Sequence, residues 1–90
     1  MDTHGLPGAD LVDQGLQDLK HGRETDVALL VSIGAPRLTR LGITVPGAIP
    51  DAEHRLYALL ESRDGRAAHS RYNALVRRLV SFERALACAR

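Results

Sequence analysis

The chain has 90 residues, a formal net charge of +1, 44% hydrophobic and 3% aromatic residues, and one cysteine, Cys88. A chain of this length forms one domain with one core, and its single cysteine excludes an intrachain disulfide. Its longest apolar run, Val27 to Val31, is far shorter than the roughly 18 residues of a membrane helix, and its N-terminal segment lacks a signal-peptide pattern. We therefore expect a cytoplasmic protein with no membrane partner.

Glycine, proline and capping residues divide the chain from its start. Residues 1–9 contain two glycines and a proline without periodicity, which predicts a flexible N-terminus before a single helical domain over residues 10–90. Asp10 is a candidate cap for a helix from Leu11 to His21, which Gly22 ends. Gly15 falls on the apolar face of that helix, so we expect another backbone to approach it closely.

Short helices are predicted for the rest of residues 10–42. Thr25 is a candidate cap for a helix from Asp26 to Ile33, and Pro36 suits the first turn of another that ends before Gly42. The stretch 26–42 also has the outline of a helix-turn-helix motif. Its second helix would hold only about six residues, which is short for a helix that reads a major groove.

An extended connector and a helical hairpin are predicted for the second half. Residues 43–50 contain two prolines and a glycine, and we expect Val45 and Ile49 to attach this connector to the core. Asp51 is a candidate cap for a helix over Ala52 to Arg63, and a long helix follows. Residues 51–90 thus form a hairpin, and the fold is predicted to be all-α, a small bundle of four to five helices.

The last helix carries an apolar stripe with coiled-coil spacing. Its members, at intervals of three and four, are Ala68, Tyr72, Leu75, Leu79, Phe82 and Leu86. About 24 residues at about 1.5 Å each give ~36 Å, which exceeds the ~31 Å diameter of a compact domain of this size. We therefore predict a homodimer or a partner-protein interface through five of these residues: Tyr72, Leu75, Leu79, Phe82 and Leu86. The alternative is that the first helices cover the whole stripe.

Charge is distributed unevenly along the chain. Residues 1–26 have a net charge of −4 and residues 66–90 a net charge of +5, so the two ends can dock within one chain or between two. Arg66, Arg77 and Arg84 project opposite the stripe, which is the usual solvated face of an amphipathic helix. They are also the candidate nucleic-acid-binding residues, although nucleic acid is not the favoured partner.

Glu83 interrupts the apolar stripe at its edge. A carboxylate unpaired in an apolar contact costs several kcal/mol, so it requires a cation from another element. Arg37, Arg40 and Arg55 are the candidates. The alternative is that Glu83 extends past the rim of the stripe into water.

Catalytic and metal-binding patterns are weak. His69 to Asn73 fan out around a helix and cannot converge on one substrate, whereas His69 and Asn73 share a side and suit a hydrogen bond. His54 and His69 lack further ligands at metal-site spacing, and no phosphate-binding glycine loop is present. We predict no catalytic residues, no metal and no cofactor. The chain is thus interpreted as a non-catalytic helical interaction or regulatory module, self-associating through its C-terminal helix, with a small nucleic-acid-binding regulator as the alternative.

Overall fold

The computed structural model describes residues 5–89, and over this range the prediction of an all-α fold is confirmed. The helices are α1 (Ala9–Lys20), α2 (Asp26–Arg40), α3 (Ala52–Asp64) and α4 (Ala68–Ala89), with a 3₁₀ turn over Gly65–Ala67. No helix within the described range is long and apolar enough to cross a membrane. Residues 1–4 of the predicted flexible N-terminus lie outside the described range.

The helix α2 occupies the centre of the bundle and packs against α1, α3 and α4. Four consecutive residues, Ala28, Leu29, Leu30 and Val31, are completely buried. Since consecutive helical residues point in directions about 100° apart, such a run is buried only when neighbours surround the helix. The longest apolar run of the sequence is therefore the middle of the core.

The predicted break after Ile33 is wrong, because α2 continues to Arg40 with Pro36 inside it. A proline removes one helical hydrogen bond and disfavours a helical conformation at the residue before it. Leu38, beyond the proline, is completely buried, and its packing keeps the helix continuous. The two short helices predicted here are thus one helix, and the turn that a helix-turn-helix motif needs is not formed between residues 26 and 40.

The helix starts follow the predicted caps only in part. Thr25 caps α2 as predicted, since its Oγ1 accepts a 3.2 Å hydrogen bond from the backbone N of Ala28. Asp10 instead lies in the first turn of α1, whose N-cap is Gly8. Asp51 occupies the N-cap position of α3 but its side chain makes no capping hydrogen bond.

The helices α1 and α2 meet closely at Gly15, as its place in the sequence predicted. A Cβ atom at Gly15 would lie 2.5 Å from the carbonyl oxygen of Val27 and would also overlap the side chain of Val31. Only a glycine leaves enough room for this approach of two helical backbones.

The connector between α2 and α3 is attached to α2 by a buried serine. The Oγ of Ser32 donates to the carbonyl oxygen of Ala28 at 2.9 Å and accepts from the backbone N of Ile49 at 3.0 Å. Ile43, Val45 and Ile49 are partly buried against the core. The expected anchoring through Val45 and Ile49 is therefore observed.

The apolar stripe of α4 lies inside the single chain. Leu75, Leu79, Phe82 and Leu86 expose between 0% and 7% of their surface, and only Tyr72 of the five predicted interface residues is partly exposed. At about 1.5 Å per residue the 22 residues of α4 span ~33 Å, which fits within the 38 Å long axis of the molecule. The bundle is elongated enough for its other helices to cover the stripe, so these four residues form core contacts.

Candidate functional site: the hairpin pocket

A cavity of about 620 Å³ opens between α3 and α4. We call it the hairpin pocket, and its lining residues are Asp51, Glu53, His54, Tyr57, His69, Tyr72 and Asn73. The two helices run antiparallel, and intervals of three and four residues place the lining side chains of each helix on one face. The pocket is therefore formed by side chains from both arms of the hairpin.

Two tyrosines form the aromatic part of the hairpin pocket. The ring centroids of Tyr57 and Tyr72 are 5.6 Å apart at an interplanar angle of 57°, and the His69 ring contacts Tyr57 edge-on at 6.3 Å. Both tyrosines are half-buried, while Leu56 and Leu60 beside Tyr57 on α3 are completely buried. Tyr72 packs against the core, and both tyrosines line the open side of the hairpin.

His69 and Asn73 form the hydrogen bond that their spacing predicted. The amide Nδ2 of Asn73 lies 3.2 Å from Nε2 of His69 and donates to it when that ring nitrogen carries no proton. His69 is exposed, so this bond lies at the pocket surface. It holds the imidazole beside Tyr57.

The backbone at the pocket edge has an uncommon conformation. Among residues 5–89, Asp51 is the only residue other than glycine with a positive φ, at 57°. Aspartate tolerates this left-handed region better than most residues, yet the conformation still costs free energy. The turn places Asp51 at the start of α3 beside Glu53.

The charged groups of the hairpin pocket are acidic. Its lining contains the carboxylates of Asp51 and Glu53 and neither lysine nor arginine. Burial, assisted by the charge of Glu53, raises the pKa of Tyr72 above its ordinary value of 10.0. The phenol is a hydrogen-bond donor at neutral pH, and the two carboxylates lie beside the imidazoles of His54 and His69 in the lining.

The hairpin pocket is lined by aromatic, carboxylate, imidazole and amide groups. Its lining contains no serine, threonine or cysteine that would serve as a nucleophile. In the described part of the chain, no three His, Cys, Asp or Glu side chains come together in a group that would hold a metal ion. Two phenol rings, two carboxylates, two imidazoles and one amide line the pocket, and groups of these kinds bind and orient ligands.

The chain was compared with protein-family models, curated proteins and solved structures. None of them matches it.

The predicted nucleic-acid-binding residues lie on the outer surface. Arg66, Arg77 and Arg84 are exposed, and none of them takes part in an ion pair with another described residue. Arg78, by contrast, pairs with Asp10 at 3.0 Å. The acidic front of the chain thus contacts its basic end within one molecule, through α1 and α4.

Glu83 is buried, which excludes the interpretation that it extends past the rim into water. It is 6% exposed, and its Oε1 lies 3.5 Å from Nη1 of Arg37, one of the three predicted partners. Arg55 instead pairs with Glu24 at 2.6 Å. Oε2 of Glu83 has no hydrogen-bond partner among the described residues and lies against Gly34, where a Cβ would be only 3.0 Å away.

Sequence reasoning identified single residues of the hairpin pocket but not the pocket. It considered His54 and His69 as metal ligands and Tyr72 as an interface residue, and it gave Tyr57 no role. The signal that was available is the position of the two tyrosines, one on each arm of a predicted hairpin. The distance between the arms depends on core packing, which the spacing alone does not determine.

Proposed function

We propose that the chain is a non-catalytic protein-interaction module and that it binds a partner protein through the hairpin pocket. One observation carries the proposal. The apolar stripe of α4 is covered within the chain, whereas both tyrosines remain partly exposed in an open cavity.

The chemistry of the hairpin pocket supports an interaction role. Tyrosine is enriched at protein interfaces because its large ring contributes apolar contact while its hydroxyl forms hydrogen bonds. A standard interface covers about 800 Å² on each partner, and the chain exposes 5506 Å² in total. A partner at the hairpin pocket would therefore also contact the exposed residues around it on α3 and α4.

Selection from a displayed peptide library tests this proposal with the purified full-length chain. We expect enriched peptides whose binding is lost in Tyr57→Ser, which removes one ring, and in His54→Arg, which adds bulk and charge at an exposed pocket position. His21→Arg is the matched control, because His21 is exposed at the end of α1 and lies outside the pocket.

Two outcomes would contradict the proposal. One is the absence of any enriched peptide, and the other is enrichment of peptides that bind wild type and His54→Arg equally well. Circular dichroism of each variant establishes that the helices are retained.

Self-association is a separate arm of the test. Light scattering measures the molar mass at low and high salt, and we expect a monomer because the stripe is internal. A dimer that His54→Arg dissociates and His21→Arg does not would identify a second copy as the partner at the hairpin pocket.

Nucleic-acid binding remains the second candidate, because Arg77 and Arg84 on α4 and Arg66 in the 3₁₀ turn before it are exposed and form no ion pair with a described residue. Three phosphate contacts give a salt slope of about −2.7, so affinity for a DNA duplex would fall about 40-fold between 50 and 200 mM salt. Fluorescence anisotropy measures this fall. Arg77→Ala would remove one phosphate contact and reduce the size of the slope by about 0.9. The control is Arg23→Ala, since Arg23 lies on the opposite end of the sequence and pairs with Asp18.

A further inference from the structure

We propose that the hairpin pocket recognises a cation, specifically the lysine or arginine side chain of a partner protein. This inference rests on the proposed function, since it names the group that enters the same pocket. It is carried by three features found together: two accessible tyrosine rings, two carboxylates, and a lining without lysine or arginine.

The aromatic geometry suits a positive group. The rings of Tyr57 and Tyr72 are tilted by 57° with centroids 5.6 Å apart, so they form a wedge and not a flat stack. The face of an aromatic ring is negative, and a cation within about 6 Å of its centroid is attracted. The two rings contact each other, so a cation would sit over their accessible side in the hairpin pocket, where it could lie within this distance of both centroids.

The carboxylates favour a ligand with a positive charge. Glu53 acts on the hairpin pocket, because its charge contributes to the raised pKa of Tyr72 together with burial. Asp51 adds a second carboxylate at the same edge, and its side chain is not used to cap α3. An anionic ligand would be repelled by the two like charges. A cation is attracted by them, and this attraction offsets part of the hydration free energy that the cation loses on leaving water.

Asn73 supplies a neutral acceptor. Its amide nitrogen is directed to His69, which leaves the amide oxygen for a donor from the ligand. A guanidinium group has five N–H donors and an ammonium group three, so both find carboxylate and amide acceptors here. A cavity of about 620 Å³ is large enough for either side chain.

Titration of the full-length chain with capped amino acids tests the inference without a partner protein. The probes are Nα-acetyl-arginine methylamide and Nα-acetyl-lysine methylamide, and the controls are the capped derivatives of citrulline and norleucine, which are uncharged. Two-dimensional NMR follows the backbone resonances of the lining residues. We expect saturable shifts with the cations, with dissociation constants on the order of 1–10 mM, and no saturable shifts with the controls.

A matched pair of variants separates the electrostatic contribution from a change in fold. Glu53→Gln removes a lining carboxylate, and Glu61→Gln makes the same change at an exposed position of α3 outside the pocket. We expect Glu53→Gln to weaken cation binding about 3- to 5-fold and Glu61→Gln to leave it unchanged. Tyr72→Phe keeps the ring and retains binding, whereas Tyr72→Leu loses it.

Three results would overturn the inference: no saturable shift with either cation, equal shifts with citrulline, or an unchanged affinity in Glu53→Gln. The peptide selection described above distinguishes this failure from failure of the proposed function. Enrichment of peptides that lack lysine and arginine but still require Tyr57 would support the interaction role and contradict the cation site. If the capped cations bind but no enriched peptide depends on the pocket residues, the result would support the cation site and contradict the interaction role.

Discussion

The hydroxyl of Thr25 donates a 2.6 Å hydrogen bond to the carboxylate of Asp18, and thereby joins the end of α1 to the start of α2. The same oxygen accepts from the backbone N of Ala28 as the cap of α2. Gln14 donates to the other carboxylate oxygen at 3.0 Å, and Arg23 lies 3.4 Å from it. The turn between the two helices is therefore fixed by one carboxylate and one hydroxyl.

Thr25→Ala removes both functions of this hydroxyl. We expect a loss of about 1–2 kcal/mol in the free energy of unfolding, the usual cost of an N-cap. Thr25→Ser retains the oxygen and should recover most of this loss. Urea denaturation measures both variants, and equal stability of Thr25→Ala and wild type would contradict the assigned role.

Asp18 makes stability depend on pH. The hydrogen bond from Thr25, assisted by Gln14 and Arg23, holds the pKa of Asp18 below its ordinary value of 3.8 against the opposing effect of burial. A lowered folded-state pKa stabilises the fold fully above the unfolded value and is lost as pH falls through the folded value. We expect Asp18→Asn to melt below wild type at pH 7 and the difference to shrink below about pH 3.8. Asp13→Asn, at an exposed position of the same helix, should show no such convergence.

Gly15→Ala should destabilise the chain although alanine is the better helix former. Alanine gains up to about 1 kcal/mol in intrinsic helix propensity, but its Cβ would overlap Val31 and the Val27 backbone. Forcing apart two packed helices typically costs about 1–3 kcal/mol. Thermal unfolding of Gly15→Ala against Gln17→Ala, an exposed control in α1, measures the net effect. A rise in the melting temperature of Gly15→Ala would show that the helices separate easily.

Glu83 and Arg37 form an ion pair, and we expect the stability of the fold to depend on which partner is replaced. The carboxylate is buried, its contact with Arg37 is long at 3.5 Å, and one of its oxygens has no partner among residues 5–89. Replacing a buried ion pair by apolar side chains is often neutral or stabilising by about 1–4 kcal/mol, and the exposed Arg37 leaves no buried charge behind when Glu83 alone is replaced. We expect Glu83→Met to match or exceed wild-type stability and Arg37→Met to fall below it. The Arg37→Met loss should disappear when Glu83 is also methionine, which a double-mutant cycle in urea measures.

The internal position of the apolar stripe predicts a melting temperature that does not depend on protein concentration. A fold completed by a second chain would gain stability by mass action, whereas a self-contained core would not. Calorimetry over a wide range of concentration makes this measurement. Leu79→Glu places a charge at a site that is only 2% exposed and should prevent folding at every concentration. A folded monomeric Leu79→Glu would instead place Leu79 on an interface between copies.

Local signals predicted most of the helices. The cap at Thr25, the stops at Gly22 and Gly42 and the periodicity of the last helix each depend on nearest neighbours along the chain, and the structure retains them. Gly34 and Pro36 misled the sequence reasoning because their helix-breaking tendency is also local. Burial of Leu38 on the far side of Pro36 outweighed that tendency, and burial is a property of the whole fold.

The hairpin pocket was less predictable than the helices. Periodicity places Tyr72 at the edge of a stripe, but it does not distinguish coverage by the same chain from coverage by another. Tyr57 and Tyr72 are 15 positions apart in sequence, and their contact follows from how α3 packs against α4. For Glu83 the sequence predicts a cation partner if the carboxylate is buried, because an unpaired carboxylate in an apolar contact is costly, but it leaves burial and exposure at the rim as open alternatives.

The order of the helices in space has a consequence for the rate of folding. The strongest packing joins α1 to α2, α2 to α3, and α3 to α4, which are neighbours along the chain. Chains rich in contacts that are local in sequence close short loops and fold in milliseconds or less, on the order of other helical bundles. The contact between Asp10 and Arg78 joins residues 68 positions apart and requires closure of a long loop. We therefore expect it to form late in folding, and a substitution that removes it should accelerate unfolding more than it slows folding.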